Sequence, residues 1–227
     1  MHGGTKTVGV LALVVVGLLA LANVASAIPL TLVGPIQGNT VGPQSTSNPC
    51  IIAATQCQQP ASMGFNNFTS SGNISSYNMF STTPTATVAD GVQGTPYTVS
   101  QLTGALGSTS FNVAIDVNTA AGGETLQLFE VIINGAVAYN FVGPALIGNA
   151  ANNGNGFADF TLNTVSLAGL TGTSTVLFHA QWNNASDGGE SFFLVPTAAA
   201  VPEPATLLLL GGGLVGLTAF ARKKLHR

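Results

Sequence analysis

Between its two ends this sequence has no basic residue. The chain of 227 residues holds five Lys and Arg, namely Lys6, Arg222, Lys223, Lys224 and Arg227. All eight acids lie between them, from Asp90 to Glu203, so the stretch from Ile28 to Ala221 has a formal charge of −8. That argues against a nucleic-acid partner, because phosphate contacts are made by Lys and Arg. Cations and neutral polymers remain as ligands. Charged residues make up only 6% of the chain, so Ser, Thr, Asn and Gln must carry most of the hydration. Catalytic motifs are also missing. There is no G-x-S-x-G, no H-E-x-x-H, no P-loop and no EF-hand loop.

The few bases sit where membrane topology needs them. Residues 1–27 read MHGGTKTVGVLALVVVGLLALANVASA: a positive Lys6, an apolar run from Val8 to Ala22, then Ala25-Ser26-Ala27. This is the pattern of a secretory signal peptide with its cleavage site marked by Ala25 and Ala27; an uncleaved anchor is the alternative. The other end reads Val201-Pro202-Glu203-Pro204, then Thr206 to Ala221 without a charge, then Arg222-Lys223-Lys224. At about 1.5 Å per residue the apolar run is a minimal spanning helix against a hydrocarbon core of about 30 Å. Both basic clusters stay cytoplasmic by the positive-inside rule, which leaves the middle of the chain outside. Arg222, Lys223 and Lys224 act as the stop-transfer signal.

What lies between the ends reads as β structure. Expected strands are Ser75–Phe80, Tyr97–Leu102, Ser110–Val117, Thr125–Ile133, Ala136–Phe141, Phe157–Leu162, Thr175–Trp182 and Ser191–Val195. Phe111, Val113, Ile115 and Val117 alternate with Asn112, Ala114 and Asp116 at the period of a half-buried strand. Asn134-Gly135 between two apolar runs is a hairpin turn signal. No long window carries a helical stripe. The fold class expected is all-β: a single antiparallel β-sandwich, jelly-roll-like or Ig-like, flanked by the signal peptide and the C-terminal transmembrane helix. The domain layout expected is 1–27 signal peptide, 28–60 irregular N-terminal segment, 61–196 β-sandwich, 197–201 linker and 202–227 sorting segment with its helix at 206–221. Within 28–60, Pro29–Val33 is a candidate edge strand.

Cysteine occurs twice, as Cys50 and Cys57 in NPCIIAATQCQQP. An even pair in an exported chain predicts a disulfide closing a small loop; a metal pair is the alternative, with no other Cys to complete it. His179 is the one histidine between the ends, and it falls on the polar side of its strand, where a structural or surface role is expected. Leu126, Leu128, Glu130 and Ile132 are expected to share one face of an apolar strand; Glu130 has no Lys or Arg to pair with, so exposure is expected. Asp187 and Glu190, with Asn183 and Asn184 beside them, form an oxygen-rich loop that Ca²⁺ would accept; an ordinary acidic turn is the alternative. Asp159 and Asn152 to Asn155 would add ligands if the loops meet. No cofactor is required by the sequence, and Ca²⁺ is the one candidate. Trp182 is a candidate platform for stacking on a sugar ring, or a core aromatic.

The three-part ending, Val-Pro-Glu-Pro then an apolar helix then Arg-Lys-Lys, resembles the PEP-CTERM sorting signal of exported bacterial proteins. The resemblance covers about 27 residues at the extreme C-terminus, where the order of the three parts makes it specific. It implies processing by exosortase, an integral-membrane Cys protease or transpeptidase, after transient residence in the inner membrane. It also implies a final place on the surface or in the extracellular matrix of a Gram-negative bacterium, with a structural or interaction role in exopolysaccharide or biofilm. No enzymatic activity is expected. A carbohydrate-binding module, Ca²⁺-dependent or not, and a plain membrane-anchored periplasmic domain are the alternatives. The partners implied are exosortase, the export machinery and exopolysaccharide, with no nucleic acid.

Overall fold

A computed structural model describes residues 26–53, 60, 63, 72–78, 94–118, 122–148, 154–186 and 190–197. The signal peptide up to Ala25, Cys57, Asp187 and the whole sorting segment from Val201 lie outside the described residues. Among the described residues no helix is long and apolar enough to cross a membrane.

The elements in chain order are β1 (Ile28–Pro29), β2 (Leu32–Val33), β3 (Cys50–Ile52), β4 (Gly72–Tyr77), β5 (Tyr97–Thr98), α1 (Val99–Leu106), β6 (Ser110–Asp116), β7 (Thr125–Ile133), β8 (Ala136–Leu146), β9 (Phe160–Ser166), β10 (Thr175–Ala185) and β11 (Ser191–Pro196). They form two sheets. One has the order β1-β8-β7-β10-β4, with β5 also paired to β10; the other has the order β2-β9-β6-β11-β3. Every described pairing is antiparallel except β1 with β8. From β6 onward the chain changes sheet at each connection apart from the β7–β8 hairpin.

Alternation builds the core. Phe111, Val113, Ile115 and Val117 of the second sheet are fully buried, as their spacing predicts. Val176, Phe178, Ala180 and Trp182 of β10 meet them from the first sheet. Phe178 lies 6.1 Å edge-on from Phe111, and Phe192 lies 5.6 Å from Phe129 and 5.4 Å from Trp182. These tilted and stacked rings join the inner faces. The β7–β8 hairpin turns on Asn134 (φ 50°) and Gly135 (φ 81°), the left-handed pair that an Asn-Gly turn supplies.

Two local expectations are overturned. Tyr97–Leu102 is not one strand: after Thr98 the chain winds into α1, whose Val99, Leu102 and Leu106 are buried. The Thr98 hydroxyl accepts the Gln101 N–H while Gln101 Oε1 accepts the Thr98 N–H, a reciprocal capping box, and Gly107 (φ 62°) closes the other end. Leu126 does not share a face with Leu128, Glu130 and Ile132. A register shift between Leu126 and Leu128 turns Leu126 into the core beside Phe129. The candidate edge strand at Pro29–Val33 is present as two short strands, β1 in one sheet and β2 in the other, with Leu30 buried between them. Farther on, Ile36 and Val41 pack against Ala114, Ala158, Phe193 and Cys50, covering the outer face of the second sheet. Small residues at 114 and 158 leave the room for this close approach.

Candidate functional site

β10 inserts between β7 and β4, so it carries side chains into contact with both neighbours. On the outer face of the first sheet, His179 lies opposite Glu130 of β7 and opposite Tyr77 of β4. Its Nδ1 is 2.9 Å from Glu130 Oε2, and its Nε2 is 3.0 Å from Ser75 Oγ. The Tyr77 ring stacks on the imidazole at 4.0 Å with the planes 5° apart. His179 is only 4% exposed, whereas Ser75, Tyr77, Glu130 and Gln181 are half-buried. Gln181, the cross-strand neighbour of Ser75, reaches within 3.4 Å of the same Nε2.

The chemistry of the donors sets the protons. A carboxylate can only accept, so with Glu130 at Nδ1 the hydrogen sits on Nδ1, and Nε2 presents a lone pair to the Ser75 hydroxyl. Burial, then the negative charge of Glu130, pushes the Tyr77 phenol above its usual value. It stays protonated and can donate. Glu130 is therefore not left to solvent for want of a base: the one histidine of the domain pairs with it. His179 faces outward from the sheet, as expected, yet it is the centre of a packed network rather than a surface residue.

The loops at the ends of β6, β9 and β10 do meet. Asp116 closes β6 with its Oδ2 accepting from Gln44 Nε2 at 2.9 Å and from the Gly156 N–H at 3.0 Å. Asp159 Oδ2 accepts the Val117 N–H at 2.9 Å, and Glu190 Oε1 accepts the Asn118 N–H at 3.3 Å. Asn184, with φ 61°, donates from Nδ2 to the Gly123 carbonyl at 3.0 Å. Asp116, Glu124, Asp159 and Glu190 are all buried. Burial, with the charge of Asp159 adding, raises the Asp116 carboxyl to about 7. Among the described residues no group of three or more His, Cys, Asp or Glu is placed to hold a metal ion.

Trp182 is fully buried against Phe192, so it has no open face for a sugar, and the stacking role is corrected to a core one. Cys50 is disulfide-bonded and buried; Cys57 is the other cysteine of the chain. Ala27 precedes β1 directly. At the far end Thr197, the last described residue of the sandwich, donates its N–H to the Ser110 carbonyl at 3.0 Å and accepts from Ser108 Oγ at 3.2 Å. The chain leaves for its tail from there. The Ser75–His179–Glu130 array escaped the sequence because its members are 104 and 49 residues apart and meet only through strand order.

A family model of the PEP-CTERM protein-sorting motif matches residues 200–224, at the C-terminal end of the chain. No curated protein and no solved structure matches the chain.

Proposed function

We propose that this chain is an exported protein whose β-sandwich is delivered to the exopolysaccharide at the surface of a Gram-negative cell, with a structural or interaction role there. The observation that carries the reading is the sorting motif, which begins three residues after Thr197, where the described sandwich ends. A motif of this kind implies an exported protein processed by exosortase. The basic cluster Arg222 to Lys224 stops translocation and the apolar run parks the chain in the inner membrane. Pro202 and Pro204 are residue types that interrupt a helix, which suits recognition of this sequence by a protease.

The test is the intact mass of the mature protein from its host beside a host lacking exosortase. Loss of the tail near Pro202-Glu203-Pro204 only when exosortase is present supports the reading. An intact Arg227 in both hosts sinks it and leaves a plain anchored domain.

A second reading, a carbohydrate-binding module, is favoured by one feature. The outer face of the first sheet sets Tyr77 on the His179 ring, two residues along β10 from Gln181, with no Lys or Arg in the domain. Aromatic and amide groups on an open sheet suit a neutral polymer. Its readout is cosedimentation of the full chain with host polysaccharide, with and without chelator, in native and Tyr77→Ala forms. Equal sedimentation of the two forms ends it; a chelator effect would bring Ca²⁺ and the Asp187 and Glu190 loop into the account.

A further inference from the structure

We propose that Ser75 is an activated nucleophile toward acyl esters, with His179 as its general base and Glu130 as the positioning residue. The inference stands on the geometry of three adjacent strands, not on the reading of the tail. Nucleophile, base and orienting carboxylate lie in the order the chemistry requires, with contacts of 3.0 Å and 2.9 Å. The Nδ1–H of His179 is held by Glu130, so the tautomer that leaves Nε2 free to take the serine proton is the one selected. Tyr77 stacks on the ring and stops it rotating away. Gln181 brings an amide group within 3.4 Å of the same Nε2, beside the serine.

The step balances. Ser75 Oγ attacks the ester carbonyl carbon and its proton passes to His179 Nε2. The tetrahedral intermediate collapses, the alkoxide leaves, and that alkoxide takes the proton from Nε2. Water then attacks the acyl-serine by the same relay, releasing the acid and restoring the hydroxyl. The face is open, with Ser75, Tyr77 and Gln181 half-buried on a sheet. Two cavities of the described residues lie elsewhere, one beside Leu106 and Pro196 and one beside Leu30 and Phe141. An open face fits a short acyl group projecting from an extended polymer rather than an enclosed small molecule.

The probes are an alkyl fluorophosphonate, read by peptide mass, and p-nitrophenyl acetate, read by release of nitrophenolate, both with the full chain in detergent. The expected result is a phosphonyl adduct on Ser75 with loss of fluoride, absent in Ser75→Ala. Labelling and ester turnover should fall about 100-fold or more in Glu130→Gln and in His179→Gln, the scale of general-base catalysis. Glu130→Asp should restore part of the labelling that Glu130→Gln loses. The groups facing the imidazole are Glu130, Tyr77, Ser75 and Gln181. Should the buried His179 variant fail to fold, as shown by its Trp182 emission, the half-buried Glu130→Gln decides. A folded native chain with no adduct at Ser75, or with equal labelling in Glu130→Gln, overturns the proposal and leaves the array a strand-to-strand clamp.

Discussion

Asp116 ties the stability of this domain to pH in a direction opposite to that of most carboxylates. Asp116 is only 5% exposed, and burial raises its carboxyl from 3.8 to about 7. A raised carboxyl binds a proton in the folded chain at pH values where the unfolded chain has lost it. Stability contributed by the neutral form is therefore complete below 3.8 and is lost as pH rises toward about 7. At about 1.4 kcal/mol per pH unit the whole window is worth roughly 4 kcal/mol, and the part crossed from pH 5 upward roughly 3 kcal/mol. These are ceilings, because local relaxation and water entry reduce such costs. Asp116→Asn keeps the volume and an acceptor for Gln44 and Gly156 but cannot ionise. Urea denaturation at pH 5 and pH 8, followed by the emission of the single buried tryptophan, Trp182, measures both chains. The native chain should lose stability over this range by about 2–3 kcal/mol more than the variant. The other buried acids contribute to both chains and cancel in the difference, apart from Asp159, whose charge is coupled to Asp116. Parallel curves would refute the reasoning. A native chain that gains stability relative to the variant would show that a cation holds Asp116 ionised.

Trp182→Ala should cost about 3–5 kcal/mol through the lost core ring, seen as a collapse of the thermal transition. A normal melting temperature would return Trp182 to the surface. Thr98→Ala removes the reciprocal cap of α1 and should cost about 1 kcal/mol, a fall of roughly 3 °C by calorimetry. An unchanged melting temperature would mean that the packing of Leu102 and Leu106 alone holds the helix.

The parts of the fold written in local pattern were readable. β7 runs from Thr125 to Ile133, as its alternation and the Asn-Gly turn predict. Trp182 follows the core-facing rhythm of β10, so its burial was one of the two readings left open. What pattern could not show is where the period breaks. The shift after Leu126 moves one leucine to the opposite face, and no residue there advertises it. The helix hides for a different reason: Tyr97, Thr98 and Val99 favour strands, and eight residues give too short a stripe for periodicity. Its cap, Thr98 with Gln101 three places on, was the signal available. Strand order decides the candidate site. Glu130 and His179 are visible as lone polar residues on apolar strands, but only the placing of β10 between β7 and β4 makes them partners.

The strand that leads to the tail also decides how the domain bears load. β11 is an inner strand, paired with β6 along all six of its residues from Ser191 to Pro196 and with β3 on its other side. A pull on the tail enters at Thr197 along the axis of that strand. The rungs to β6 are strained together, in shear, instead of parting one after another as they would if an edge strand were peeled. Phe192 and Leu194, fixed in the core, resist the same sliding. Drag on the sandwich while it is still tethered is thus spread across a whole ladder.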